Sequence, residues 1–128
     1  MALNFHRRLL TILAFLLVSL PFHSNAVSAE KCIPGGYCPR NPNDPDIIRI
    51  GTFAVETYNS NSNSSLELDN VVEAQSQVVN GLNYRLVIKV NETHIIENFP
   101  NVYQALVYLG LNGKDDLHLR YFKKLTTV

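Results

Sequence analysis

Gln77-Val78-Val79-Asn80-Gly81 sits in the middle of LELDNVVEAQSQVVNGLNYRLVIKV, residues 66–90. The run alternates with a period of two residues. Before the pentapeptide the even positions are Leu66, Leu68, Val72 and Ala74. After it they are Leu82, Tyr84, Leu86, Ile88 and Val90. Each half predicts a strand with one buried face. Asn80-Gly81 supplies residues that tolerate positive φ, which a tight hairpin turn requires. Val78 and Val79 are neighbours, so in a strand they point to opposite faces. At the tip of a hairpin that overhangs the core, at least one of them meets water. Apolar residues on a stiff, tight turn mark an edge built to enter something else.

Working outward, the chain has 128 residues. Arg7 and Arg8 precede an apolar run from Leu9 to Leu20, broken only by Thr11 and Ser19, and Pro21 ends it. Small residues follow at Ser24-Asn25-Ala26 and Val27-Ser28-Ala29. A basic start, a short apolar stretch and a small-residue cleavage site predict a signal peptide over residues 1–29, cut after Ala29 or Ala26. The run is too short for a comfortable membrane span. Residues 30–128 then form one small domain with one core, outside the cell or in the endomembrane system. Removing Arg7 and Arg8 from the 11 basic residues leaves 9 against 11 acidic ones, a net charge of −2. That balance offers no surface for nucleic acid or an anionic membrane.

Residues 30–43 are rich in Pro, Gly and Asn and predict an irregular arm, most flexible at Pro34-Gly35-Gly36. Cys32 and Cys38 flank the glycines. In a secreted chain such a pair predicts a disulfide, worth about 2 kcal/mol for so small a loop. Gly35 and Gly36 then sit on a closed loop.

A helix is predicted from Pro45 to Tyr58. Asp44 is the N-cap, Pro45 suits the first turn and Asp46 the positive end of the dipole. Ile47, Ile50, Phe53, Ala54 and Tyr58 make its apolar stripe. Gly51 costs about 1 kcal/mol relative to alanine and lets the helix lie close on a sheet. Asn59–Ser65 predicts a polar loop. Beyond the hairpin come a loop over 91–100, a strand from Val102 to Leu109 whose buried face periodicity does not reveal, a turn at Gly110-Leu111-Asn112-Gly113, polar Lys114-Asp115-Asp116, and a last strand over Leu117–Leu125. The order predicts an α+β fold: a four- to five-stranded antiparallel sheet wrapped around one α-helix.

The chemistry inventory is thin. Cys32, Cys38, His94 and His118 have no spacing of a closed zinc site. No phosphate-cradling loop or dinucleotide fingerprint is present. Asp115-Asp116 reads as a solvated turn, not an acid/base pair. The expectation is a protein that is no enzyme and needs no cofactor or metal. Asn63-Ser64-Ser65 and Asn91-Glu92-Thr93 are N-glycosylation sequons in predicted loops, Asn63 the better placed.

Gln77 to Gly81 also fits the Gln-x-Val-x-Gly pattern of cystatins, inhibitors of papain-like cysteine proteases. Ile50-Gly51-Thr52-Phe53-Ala54-Val55, continuing into Glu56-Thr57-Tyr58-Asn59, resembles the Leu-Ala-Arg-Phe-Ala-Val helix signature of plant cystatins. Gly35-Gly36 stands where that family has its N-terminal glycines, and Asn43-Asp44-Pro45 is similar to the plant group. The resemblance runs from about Gly35 to Leu125. It implies that the arm and two hairpin loops form a wedge that fills a protease cleft without being cut, as a reversible competitive inhibitor. The protease-binding residues it implies are Gly35, Gly36, Gln77, Val78, Val79, Asn80, Gly81, Leu111 and Asn112. The partner is a papain-like protease, the inhibitor a monomer, and a role in plant defence fits the group.

Three departures stand out. The family has Pro-Trp in its second hairpin loop; here Leu111 is the sole apolar residue of that tip. The loss predicts weaker binding or altered protease selectivity, by about 1–3 kcal/mol on the usual scale of interface truncations. It also leaves open an alternative, a cystatin-fold protein that inhibits weakly or not at all and binds something else. Plant cystatins commonly lack the cysteines that bracket the glycines here, and a Cys32–Cys38 bridge either pre-organises the arm or holds it away from the cleft. Thr52 and Gly51 replace a charged residue and an alanine in the helix signature.

Overall fold

The computed structural model describes residues 32–92 and 101–126. The expected signal peptide, His94 and Thr93 of the second sequon lie outside them. The elements are β1 (Cys38–Arg40), α1 (Pro45–Ser62), β2 (Leu66–Val79), β3 (Gly81–Glu92), β4 (Asn101–Leu109) and β5 (Leu117–Lys124). The strands form one antiparallel sheet in the order β1-β2-β3-β4-β5, with α1 packed against β2, β4 and β5. The α+β expectation holds, at the five-strand end of its range.

Local chemistry starts α1 as expected. Asp44 is its N-cap, its carboxylate accepting from the Asp46 amide at 2.9 Å, with Pro45 in the first turn. Ile47, Ile50, Ala54 and Val55 are buried on the sheet, while Phe53 and Tyr58 pack at the rim. A Cβ on Gly51 would stand 3.2 Å from Val71 Cγ2 and 3.6 Å from Leu68 Cδ2, so the glycine does set a close approach. The helix ends later than Tyr58. Ser60 and Ser62 hydroxyls donate to the carbonyls of Glu56 and Tyr58, so residues that favour loops elsewhere are absorbed into an extra turn. Asn63 then stops the helix in the left-handed region, at φ 53°, which asparagine tolerates. The Asn59 side chain, in turn, holds both the amide and the carbonyl of Leu66 and so fixes the entry to β2.

Strand β2 departs from simple alternation. Its pairing with β3 slips at Asp69 and again at Val72, each an extra residue on β2. The first bulge flips the buried face from even to odd positions, and the second flips it back. Leu66 is buried, then Val71, then Ala74 and Ser76, while Val72, expected in the core, is 51% exposed. Strand β3 keeps the expected even face, burying Tyr84, Leu86, Ile88 and Val90. Strand β4 buries its odd face through Tyr103, Ala105 and Val107. A third bulge, at Arg120 of β5, turns Phe122 onto the helix side, where it stacks on Tyr58 at 4.3 Å between ring centroids.

Two expectations for loops change. Residues 38–40 of the supposed irregular arm form β1, because Cys38, Pro39 and Arg40 pair with Ser76, Gln75 and Ala74. Asn91 belongs to β3, opposite Glu67, although it is exposed there. Asn63 is exposed at the helix end.

Candidate functional site

The β2–β3 hairpin reverses at Asn80, with Val79 paired to Gly81. Gly81 has φ 109°, a region closed to side-chain-bearing residues without strain. A Cβ there would also stand 2.8 Å from Tyr108 Oη and clash with the Leu109 carbonyl. Tyr108 from β4 donates its hydroxyl to the Asn80 carbonyl, which ties the tip of the first hairpin to the base of the second. Val78 projects from the tip 70% exposed, and Val79 is also exposed.

The second hairpin loop, residues 110–116, opens at the same end. Leu111 at its tip is 71% exposed. The loop is organised by Asp116, which is no merely solvated turn residue. Its carbonyl accepts from Gly110, and its amide donates to Gly113. Its carboxylate accepts from the Asn112 amide at 3.2 Å, from Asn112 Nδ2 at 3.1 Å and from His118 Nε2 at 2.8 Å. The His118 bond, then the Asn112 amide, hold the Asp116 carboxyl below its ordinary value of 3.8. Arg49 on α1 braces the loop from outside by donating to the Lys114 carbonyl at 2.9 Å. Between the two hairpins lies an open groove of about 350 Å³, walled by Val78, Val79, Leu109 and Leu111.

Because Asp116 has a lowered pKa, it stabilises the fold above its unfolded value, and that stabilisation is lost as pH falls through the folded one. Unfolding free energies of the native protein and Asp116→Asn should therefore differ above the ordinary carboxylate range and converge in acid below it. A gap that stays constant down to the acid limit would remove Asp116 from its place in the loop.

The arm supplies the third segment. Cys32 and Cys38 are bridged, with Cα atoms 4.9 Å apart, as expected from their spacing. Within the bridge, Ile33-Pro34-Gly35-Gly36 is a type II turn: Pro34 precedes Gly35 at φ 78°, and the Gly36 amide donates to the Ile33 carbonyl at 2.9 Å. β1 is antiparallel to β2, so residues before Cys38 run beside Gln77 toward the hairpin tip. Gln77 Nε2 donates to the Gly35 carbonyl at 3.1 Å. The residues named from the sequence are thus brought to one end of the molecule: Gly35 and Gly36 on the arm, Gln77 to Gly81 on the first hairpin, Leu111 and Asn112 on the second. Sequence reasoning missed Tyr108, Asp116, Tyr37 and Arg85. Tyr108, Tyr37 and Arg85 have partners on other strands, far away along the chain, while the partners of Asp116 lie within its own loop, which carries no motif that announces them.

Three segments, apolar at their tips and stiffened by a short turn and a bridge, form one edge of the molecule. A family model described as a cystatin domain matches residues 35–124. The chain belongs to the cystatin family. It is 39% identical over 84 residues to cysteine proteinase inhibitor 5 of Arabidopsis thaliana, covering 65% of this chain and 66% of the relative. It is 46% identical over 96 residues to a cystatin of Bitis arietans, covering 70% and 86%. A cystatin of Naja kaouthia is 42% identical over 79 residues, with 58% and 55% covered. The match thus spans just under two thirds of the plant relative's length and about half of the Naja one's. Plant and snake relatives both match, so the family level holds and the plant group is not singled out. Among solved structures, a salivary cystatin of the soft tick Ornithodoros moubata shares the fold at TM-score 0.61 and 17% identity, over 73% of this chain and all of that one.

Proposed function

We propose that this chain is a secreted, reversible and competitive inhibitor of papain-like cysteine proteases. The observation that carries the reading is the exposed apolar edge. Ile33, Val78, Val79 and Leu111 stand out from three segments that hydrogen bonds hold in one arrangement. A preformed edge loses little conformational entropy on binding, so its apolar contacts count toward affinity. Gln77 to Gly81 fill the centre of the cleft. Gly35, Gly36, Leu111 and Asn112 flank it. The chain donates no reactive group, and inhibition reverses on dilution. The inhibitor acts as a monomer after loss of residues 1–29. The helix signature supports the plant group, and a defensive role fits it.

Titrating papain with the protein, using a fluorogenic peptide substrate, tests the reading. Competitive inhibition that dilutes away is the expected result. No inhibition at high micromolar concentration would sink it and leave the binding-protein alternative, for which the missing tryptophan in the 110–113 loop speaks.

A further inference from the structure

Each hairpin tip carries an Asn-Gly pair, Asn80-Gly81 on the first and Asn112-Gly113 on the second. In such a pair the asparagine side-chain amide is open to attack by the next backbone nitrogen, because glycine has no Cβ to crowd the approach. The two pairs are closely matched. Both asparagines are exposed, and Gly81 and Gly113 have φ 109° and 113°. Their surroundings differ. The Asn112 side chain is tied down: its Nδ2 donates to Asp116 Oδ2 at 3.1 Å, and its own backbone amide donates to the same oxygen at 3.2 Å. Among the described residues no hydrogen bond holds the Asn80 side chain. What Asn80 has instead is a donor on its backbone carbonyl, the Tyr108 hydroxyl.

That donor bears directly on reactivity. Attack requires the Gly81 amide to lose its proton. The charge left behind spreads onto the oxygen of the same peptide, which is the Asn80 carbonyl. A hydroxyl already donating to that oxygen stabilises the charge as it forms. The free Asn80 side chain can turn its Cγ onto the Gly81 nitrogen without breaking any bond. At the second tip both conditions fail. The Asn112 side chain must first leave Asp116, and among the described residues no donor reaches the Asn112 carbonyl. Two identical dipeptides thus stand in opposite states, one released and polarised, the other clamped.

We propose that Asn80 is a self-modification site, a clock built into the first hairpin tip, and that Asn112 is spared. The Gly81 nitrogen gives its proton to water or hydroxide and attacks Asn80 Cγ. The new Cγ–N bond closes a succinimide ring, the Cγ–Nδ2 bond breaks, and Nδ2 takes a proton from water and leaves as ammonia. Water then opens the ring at either carbonyl, giving aspartate or isoaspartate. The net change is one water consumed and one ammonia released, with no oxidant or reductant. Isoaspartate carries the main chain through Cβ and Cγ, which lengthens the turn, and either product adds a negative charge. Hairpin register follows turn geometry, so the longer turn displaces Val78 and Val79. The resulting loss of inhibition rests on the inhibitor reading above; the modification itself does not.

The test incubates the protein warm at mildly alkaline pH, digests samples over time and follows both Asn-Gly peptides by mass spectrometry. An isoaspartate-specific methyltransferase marks that product. Asn80 should lose its amide at least about tenfold faster than Asn112, the effect of a hydrogen bond to a forming anion. In urea, with both hairpins unfolded, the two rates should converge. Tyr108→Phe should slow the loss at Asn80 severalfold, whereas a tyrosine that only braces the tip would, once removed, free it and speed the loss. Asp116→Ala should release Asn112 and raise its rate. Modified protein, separated on ion exchange by its added charge, should inhibit papain at least about tenfold more weakly than fresh protein. Asn80→Ser, whatever its starting constant, should keep that constant through the same incubation. Equal rates at the two tips of the folded protein, or faster loss at Asn112, overturn the site. An unchanged or faster loss at Asn80 in Tyr108→Phe overturns the part given to the hydroxyl. If fresh protein inhibits and the modified form inhibits equally well, the clock is overturned while the inhibitor reading stands. If fresh protein inhibits no papain-like protease, the inhibitor reading fails with the clock, and the mass contrast still decides the modification.

Discussion

Gly81→Ala is expected to raise the inhibition constant for papain about 100-fold, roughly 2.7 kcal/mol of binding. It should also destabilise the fold by about 2 kcal/mol, the scale of a residue forced into an unpopulated backbone region. Two separate effects act in one direction. At φ 109° any L side chain is strained. In addition, the new Cβ would run into the Leu109 carbonyl and the Tyr108 hydroxyl. Neither neighbour can yield cheaply. The Leu109 carbonyl belongs to the end of β4, where Leu109 pairs with Leu82. The Tyr108 hydroxyl is the group that ties Asn80 to the second hairpin. The turn must therefore open, and the tip formed by Val78 to Asn80 moves away from the groove it shares with Leu111. Urea unfolding and papain titration measure the two limbs. A variant that loses stability but inhibits like the native protein would show that the tip does not enter the cleft. One that retains both would mean that the turn is built differently.

Much of this fold is readable in the sequence where it is decided by neighbours along the chain. Asp44-Pro45 and Asn80-Gly81 act within a few residues, so the helix start and the hairpin tip are local facts. The bridge is legible because Cys32 and Cys38 are close in sequence. What escapes is decided across strands. Two bulges on β2 leave Leu66 and Ala74 on the same face, so alternation looks unbroken from its ends while Val71 and Val72 exchange places between them. The buried face of β4 is invisible for a related reason: both of its faces are apolar, and only packing against α1 chooses the odd one. At the site, the individual elements could be named but not their ties. The hydroxyl of Tyr108 on Asn80, the carboxylate of Asp116 around Asn112 and His118, and the stack of Arg85 on Tyr37 each join residues that no motif relates. Those ties decide whether three flexible loops or one stiff edge meets a partner.

The double bulge makes the second large prediction, a contrast between two adjacent valines. Val71→Asp should cost about 4 kcal/mol, the cost of burying an unpaired carboxylate in a tight site. Val71 is 6% exposed, and its Cγ2 lies against the helix at Gly51. A protein of this size has a total stability of about 5–15 kcal/mol, so the variant sits near the edge of folding at room temperature. Val72→Asp should cost less than about 1 kcal/mol, because that side chain already faces solvent. Unbroken alternation demands the opposite ranking, with Val72 in the core beside Leu68 and Ala74. Urea denaturation of the two variants therefore decides between one continuous register and two compensating slips. The consequence for binding is separable. The slips cancel before Ala74, and the pairing from Ala74 with Leu86 to Val79 with Gly81 is continuous. A helix-side defect at Val71 lies outside that stretch. The folded fraction of Val71→Asp should then inhibit papain with a nearly native constant, whereas Gly81→Ala should lose affinity even where it is fully folded. If Val71→Asp lost affinity in its folded fraction as well, the edge would depend on the helix packing beneath β2 and not only on the ties that join its three segments.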